Sequence, residues 1–180
     1  IDDGSKDGSV EKIQEMIPAC QERFVRFEFR YRPNKGLSET LNEALEWCDG
    51  LYLSPIASDD QMLKQKIQLQ VNFLEKNLNY SAVFGGINQI DDHNKIVRTL
   101  TRKKEKYSFK QIAELDYFLQ APTQFFKLSD IKMIGGYNSK FRIEDWYSYL
   151  LLTKDGRDIY IMEEVLCNYR RHGNNSSKKI

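Results

Sequence analysis

The sequence predicts an α/β fold in which a mostly parallel mixed sheet is flanked by helices, and three features predict it. Strand-like and helix-like segments alternate from Ile1 to Leu78, which implies parallel strands joined by right-handed crossovers. The next segments read as a hairpin, so the sheet becomes mixed in the second half. Two pairs of adjacent acids, Asp2-Asp3 and Asp59-Asp60, each follow a strand-like segment. In open sheets of this kind ligands sit at the carboxyl ends of the strands.

Taken in order, Ile1 to Ser5 passes from a strand end into a glycine turn. Ser9 can then cap a helix that carries Val10, Ile13, Met16 and Ile17 on one face. Phe24 to Tyr31 alternates apolar and charged residues with period two, as a strand does, and ends at the turn Pro33-Asn34-Lys35-Gly36. A second helix follows, with Ser38 as its expected cap; its stripe of Leu37, Leu41, Ala44, Leu45 and Cys48 stops at Asp49-Gly50. Leu51 to Ile56 reads as a short strand, Ala57 to Asp60 as a loop, and Met62 to Leu78 as a helix. Beyond it, Ser81 to Ile90 and Ile96 to Thr101 form the hairpin around Asp91-Asp92-His93-Asn94. Arg102-Lys103-Lys104 is read as a solvated loop rather than a phosphate site. Helices at Phe109 to Leu119 and Ile143 to Leu152, and strands at Pro122 to Lys127 and Ile159 to Tyr169, complete the expectation.

A chain of 180 residues suffices for one domain that buries roughly two-thirds of its unfolded surface. Its 27 basic and 26 acidic residues give a net charge of +1, too little for a field that gathers nucleic acid. No apolar run approaches the roughly 20 residues of a membrane-spanning helix. Cys20, Cys48 and Cys167 are odd in number and widely separated, which points to reduced thiols rather than a disulfide framework or a metal knuckle. The first residues do not read as a signal peptide. A cytoplasmic protein is expected, at most peripherally associated with the cytoplasmic face of the membrane. Because the chain starts on what reads as the last residue of a strand, an N-terminal portion is expected to precede Ile1.

Three acid pairs carry the candidate chemistry, and each has a plainer structural reading. Asp2-Asp3-Gly4-Ser5 is an ordinary turn sequence, or a turn whose carboxylate meets a nucleobase or ribose; strand alternation lets one of the two acids do this, and Asp3 is the expected one. Asp59 and Asp60 repel one another unless a cation or a cluster of donors relieves them. A divalent ion with oxygen ligands, shared with a nucleotide diphosphate, is the functional reading; acids complementing a helix start are the plainer one. Glu144-Asp145 opens a helix among Phe141, Trp146, Tyr147 and Tyr149, where desolvation makes a carboxylate a better base. His172, beside Tyr169-Arg170-Arg171, would alone pass for a surface histidine.

The ordered series is more specific than any member of it. Ile1-Asp2-Asp3-Gly4-Ser5-Lys6-Asp7-Gly8-Ser9, Asn34-Lys35-Gly36-Leu37-Ser38 with Leu41-Asn42, and Ser58-Asp59-Asp60 resemble glycosyltransferase family 2. So do Pro122-Thr123-Gln124-Phe125-Phe126, Ile134-Gly135-Gly136-Tyr137-Asn138, Ile143-Glu144-Asp145-Trp146 and Tyr169-Arg170-Arg171-His172-Gly173-Asn174-Asn175-Ser176. The resemblance implies the GT-A fold and an inverting transfer of sugar from a nucleotide-diphosphate sugar, expected to be a UDP-sugar, to a glycan or lipid-linked acceptor. Cell-surface polysaccharide synthesis is the implied setting.

On this chain the resemblance implies donor binding by Asp2, Asp3, Asn34, Gly36, Asp59, Arg171 and His172. It implies Mn²⁺ or Mg²⁺ held by Asp59, Asp60 and His172, and catalysis by Asp145 as base with Glu144 beside it. Residues 1–79 form the expected nucleotide-binding part and residues 80–180 the acceptor-binding and catalytic part. Two departures matter: Ala57 stands where many members carry the first acid of the metal loop, and the first strand is missing. A nucleotidyltransferase and a non-catalytic sugar-nucleotide or glycan-binding module are the alternatives. The first would need a glycine-rich phosphate loop, and retention of Glu144-Asp145 speaks against the second.

Overall fold

The computed structural model describes residues 1–141 and 143–172. Helix α1 (Ser9–Arg23) and helix α2 (Leu37–Trp47) lead to strands β1 (Tyr52–Leu53) and β2 (Gln61–Met62), then to helix α3 (Lys66–Lys76). Strands β3 (Tyr80–Ile90), β4 (Ile96–Leu100) and β5 (Glu105–Tyr107) follow, then helix α4 (Phe109–Ala113), a 3₁₀ turn at Ala121–Thr123 and strand β6 (Phe125–Lys127). Helices α5 (Leu128–Met133) and α6 (Glu144–Thr153) precede the long strand β7 (Asp158–Arg170).

The strands form one mixed sheet in the order β1-β6-β3-β7-β2, with β4 on β3 and β5 on β7. Its spine is the parallel β3–β7 ladder, which runs from Tyr80–Asp158 to Ile90–Arg170. The mixed sheet with flanking helices is as expected, but its parallel share is narrower: β1–β6, β2–β7, β3–β4, β3–β6 and β5–β7 are antiparallel. The long middle strands expose backbone on both edges, and short returning segments take those edges.

Alternation along β3 divides the core. Ala82 and Phe84 face a cluster with Leu45 of α2, Ile131 of α5 and Tyr149 and Leu152 of α6, whereas Val83 packs with Leu74 of α3, Phe125, Met162 and Leu166 on the other face. Phe84 meets Tyr149 edge to face, with ring centroids 5.3 Å apart. Helices thus cover both faces, and Arg170 at the end of β7 meets the loop at Asp59-Asp60.

Several expected elements come out shorter, each for a local reason. Phe24 to Tyr31 is not a full strand: a ladder needs partner backbone, and the partner offered is Asp2, which makes one parallel bridge with Tyr31. Leu51 to Ile56 contributes only β1. The helix expected from Met62 starts at Lys66, because Gln61 and Met62 pair with Asn168 and Cys167 of β7 and the Leu63 N–H donates to Leu166 O. The helix from Phe109 has a capping box between Ser108 and Gln111 but ends at Ala113, and Leu115 takes the left-handed conformation at φ 58°. Pro122 lies in a 3₁₀ turn rather than a strand, so β6 begins at Phe125. Gly8 and Gly36, not Ser9 and Ser38, are the caps of α1 and α2.

Lys66 is fully buried at the start of α3. Its Nζ donates to Ser54 Oγ at 2.6 Å and to Gln124 O at 3.2 Å, tying α3 to the ends of β1 and β6. Burial pulls its pKa from 10.5 down to about 8. Between those values the unfolded chain holds a proton that the folded chain has released, so this group adds stability as pH rises through the window. The effect is on the order of 3 kcal/mol. Urea unfolding of Lys66→Met should therefore lack a rise with pH that the parent shows between about 8 and 10.5. Equal slopes in the two proteins would mean that Lys66 is not desolvated in the folded state.

Candidate functional site

The first acid pair sits on the single parallel bridge. Asp2 N–H donates to Arg30 O at 2.8 Å, and Arg32 N–H donates to Asp2 O at 3.3 Å. The two side chains then part, as strand alternation requires. The Asp2 carboxylate accepts the N–H groups of Gly4 and Ser5 at 3.0 and 2.9 Å and the Ser5 hydroxyl at 2.6 Å. The Asp3 carboxylate accepts the backbone N–H groups of Lys35 and Gly36, both at 2.9 Å, and pairs with Arg32. Asn34 Nδ2 closes the contact on Asp3 O at 2.8 Å.

Gly4 makes this interlock possible: its φ is +91°, and a Cβ there would lie 2.7 Å from Asn34 N. Hydrogen bonds, from Ser5 to Asp2 and from the Lys35 N–H to Asp3, hold both carboxyls below their ordinary range. Both acids are anions at neutral pH, but they face different work. Asp2 lines a cavity of about 580 Å³ together with Ser5, Ser9, Lys12, Ile13 and Ser58. Asp3, the expected nucleotide contact, has its carboxylate bonded to the Asn34–Gly36 loop.

Ser58 leads directly into the second acid pair, and β7 fixes that pair in place. Because β2 pairs with Asn168 and Cys167, Asp60 arrives beside Arg170, whose N–H donates to Asp60 Oδ1 at 2.9 Å. The Arg170 side chain donates to Asp59 O at 3.0 Å, to Asp91 O at 2.7 Å and to Asn94 Oδ1 at 2.7 Å. Asp59 Oδ2 lies 2.9 Å from His172 Nε2. The expected trio of Asp59, Asp60 and His172 is therefore local to one loop and one strand end.

Burial, with the Asp59 charge adding to it, raises Asp60 to about 6 against the Arg170 N–H bond that opposes it. Among the described residues no three His, Cys, Asp or Glu side chains gather into a group that could hold a metal ion. Arg171 is exposed and donates its N–H to Ile90 O at 2.9 Å. The arginine that braces the acid loop is Arg170, the last residue of β7, which the sequence reading passed over. Gly173-Asn174-Asn175-Ser176, the rest of that motif, lies outside the described residues.

The third acid pair opens α6, where negative charge is favoured. Asp145 Oδ1 accepts the Trp146 N–H at 2.7 Å, and Trp146 Nε1 anchors the turn on Ile112 O at 3.0 Å. Burial raises the pKa of both Glu144 and Asp145. Tyr137 and Tyr149 are buried close by, their hydroxyls without a hydrogen-bond partner among the described residues, and after burial the Asp145 charge helps to raise both phenols. In the sequence Tyr149 stands out only as part of the aromatic surroundings of Glu144-Asp145 and Tyr137 only within its motif; neither gains a role there, because an aromatic in a helix or turn reads as core.

The segment before α6 is clamped to α2. Asn42 Nδ2 donates to Tyr137 O at 2.7 Å, and Tyr137 N–H donates to Asn42 Oδ1 at 2.8 Å. A Cβ on Gly136, whose φ is +74°, would fall 2.5 Å from that Asn42 oxygen. This clamp sets the α6 start against the Lys35–Gly36 loop, and Glu144, Lys35 and Gly36 line a second cavity of about 220 Å³. Asp3 thus links the loop that lines one cavity to the loop that lines the other.

Comparison with known proteins bears on the family and the fold. The profile described as Glycosyl transferase family 2 matches residues 1–135. An uncharacterized glycosyltransferase of Methanocaldococcus jannaschii, MJ1057, is 26% identical over 165 residues, which is 88% of this chain and 56% of that protein. A chondroitin synthase of Escherichia coli is 25% identical over 99% of this chain and 25% of its own length. The chain thus spans about half or less of these relatives. Among solved structures, residues 1-349 of S. aureus TarS in complex with UDP-GlcNAc superpose with a TM-score of 0.72 at 14% identity, covering 99% of this chain and 50% of that one. The TarS complex with UDP gives 0.65 at 15% identity, covering 94% and 49%. The fold is GT-A, and no helix among the described residues is long and apolar enough to cross a membrane. With its fold, its ordered acid loops and a profile match over most of its length, this chain belongs to glycosyl transferase family 2.

Proposed function

We propose that this chain carries the donor-binding and catalytic region of an inverting glycosyltransferase that moves a sugar from a UDP-sugar to a hydroxyl of a glycan or lipid-linked acceptor. One observation carries the reading: Asp2 and Ser58, the residue just before Asp59-Asp60, line one cavity of about 580 Å³, in the fold of a protein solved with UDP-GlcNAc. A cavity of that size suits a nucleotide-sugar. Residues 1–79 are the nucleotide-binding part and 80–180 the acceptor and catalytic part. The chondroitin synthase relative supports a role in cell-surface polysaccharide synthesis, and a cytoplasmic location is part of the same reading.

Asp145 is the base. It accepts the proton of the acceptor hydroxyl as that oxygen bonds to the anomeric carbon; the bond from that carbon to the diphosphate breaks, and its electron pair leaves with the diphosphate. Glu144 orients the acceptor side. Asp59 Oδ2 and His172 Nε2, 2.9 Å apart, with Asp60 beside them, are the residues that would hold Mn²⁺ or Mg²⁺ together with diphosphate oxygens of the donor, since on their own they do not gather into a three-ligand group. Such an ion supplies positive charge against the diphosphate. Arg170 keeps the loop in register.

A nucleotide-sugar screen by thermal shift, with and without Mn²⁺, tests the reading. A true donor at about 100 Kd stabilises the fold by about 2.7 kcal/mol, roughly 5 to 10 °C for a domain of this size. UDP-sugars should shift the full-length protein, and more with Mn²⁺ than without. No shift with any nucleotide-sugar under either condition would overturn the proposal.

A further inference from the structure

At the start of α6, donors without an acceptor stand beside an acceptor without a side-chain donor. Tyr149 is 2% exposed and Tyr137 4%, they share one core cluster, and neither hydroxyl has a hydrogen-bond partner among the described residues. Buried hydroxyls are nearly always bonded, so two exceptions in one cluster need a reason. Asp145 is half-buried at the head of the same helix. Its Oδ1 takes the Trp146 N–H at 2.7 Å, and no side chain among the described residues donates to it.

Helix geometry brings Tyr149 to that carboxylate. Four residues separate the two along α6, which puts them on one face, and a helical tyrosine leans back over the turn before it, here the turn that carries Asp145. The ring is held there. Phe84 of β3 meets it edge to face with centroids 5.3 Å apart, Tyr117 does so at 6.3 Å, and Phe126 of β6 lies at 6.4 Å. The hydroxyl thus keeps its place and turns only about its own C–O bond.

The titratable groups that face Tyr149 are Asp145 and Glu144 at the head of its helix, Tyr137 from the turn before it and Tyr117 from the segment after α4. Tyr107 of β5 stands one ring further off, against Tyr117 and bonded to Glu105. The cluster is otherwise apolar, with Ile112 of α4, Ile131 of α5 and Ile159 and Ile161 of β7. Burial, and then the Asp145 charge ahead of the others, keeps the Tyr149 phenol well above its ordinary value, so at neutral pH it is a neutral donor. For Tyr137 the Glu144 charge comes ahead of Asp145, which separates the two tyrosines.

On the reading that makes Asp145 the base, we infer that Tyr149 is its positioning residue: the Tyr149 hydroxyl donates to the ionised Asp145 carboxylate and fixes the direction in which the charged side chain points. Each group then has the partner it lacks. A phenol bonded to an anion is a charge-assisted contact that favours the ionised form, the form that can take a proton from an acceptor.

Carbon NMR of the full chain labelled at the aspartate carboxyls tests it, with Asp145→Asn identifying the signal. Tyr149→Phe keeps the ring and its packing. It should raise the midpoint of the Asp145 titration by about one pH unit or more, the scale of a hydrogen bond to a charged group. The acid limb of the transfer rate should move to higher pH with it, while the donor Kd stays as in the parent. Tyr137→Phe should move the Asp145 midpoint less. In the parent, the Tyr149 hydroxyl proton should shift downfield as Asp145 ionises, and in Asp145→Asn it should not move over that range. The inference is overturned if Tyr149→Phe titrates at Asp145 as the parent does, if Tyr137→Phe has the larger effect, or if the hydroxyl proton ignores the ionisation. The titrations need no substrate, so these failures leave the glycosyltransferase reading untouched. Full transfer by Asp145→Asn would instead overturn Asp145 as the base, and the role of Tyr149 with it.

Discussion

Asp145→Asn should lower sugar transfer by about 10² to 10⁴, the usual worth of a general base, while leaving the Kd for the donor nearly unchanged. The substitution keeps the shape and the acceptor oxygen for the Trp146 N–H, and it removes the basicity. Unfolding is not a competing explanation. Burial raises the Asp145 pKa, so between the ordinary carboxylate value and the raised one the folded chain holds a proton that the unfolded chain has lost. Stability from this group therefore falls as pH rises through that window, and the ionised carboxylate is a cost at neutral pH that asparagine does not carry. The melting temperature of the variant at neutral pH should equal or exceed that of the parent. Glu144, which lines the smaller cavity, should matter less, so Glu144→Gln should cost a smaller factor and act through the acceptor KM. Full activity in Asp145→Asn, or a deficit confined to donor binding, would move the base to Glu144.

The fold was legible where the pattern was long. The hairpin about Asp91-Asp92, helix α6 and strand β7 stand within one or two residues of their expected ends, because each combines a sustained period with a clear turn. Short segments were not legible, because what they became was decided by neighbours distant in sequence. Gln61 and Met62 read as a helix start until β7 supplies backbone for them to pair with. Phe24 to Tyr31 has strand periodicity, but its pairing is confined to the Asp2–Tyr31 bridge.

At the site, residue types and order were legible and directions were not. Asp2 and Asp3 were expected to diverge, and they do, but which of them meets a ligand cavity depends on where Arg32 and the Asn34–Gly36 loop lie. Arg170 and Arg171 are indistinguishable by type; only the tertiary contacts at the end of β7 separate the one that braces Asp59-Asp60 from the one that is exposed. The Asn42–Tyr137 clamp joins residues 95 apart in the chain, and no local signal marks it.

Asp59→Ala should weaken Mn²⁺-dependent UDP binding by roughly 10²-fold or more, since removing even an outer-shell partner of a metal site typically costs about 10- to 100-fold. Metal-independent binding should change little, and so should stability, because half-exposed loop acids contribute little to it. His172→Ala should act in the same direction, through the 2.9 Å contact with Asp59. Asp60 gives the loop a pH signature. Its carboxyl is raised to about 6, so below that value a proton occupies the group a cation must use, and metal-dependent affinity should fall as pH falls through it. With no cation present the same raised value makes ionised Asp60 a cost to the fold at neutral pH, so Asp60→Asn should keep or raise the melting temperature while losing the metal dependence. Calorimetric titration of UDP into parent and Asp59→Ala, with and without Mn²⁺, decides it: equal affinities at saturating metal would leave Asp59 and Asp60 as acids that only hold a loop to Arg170.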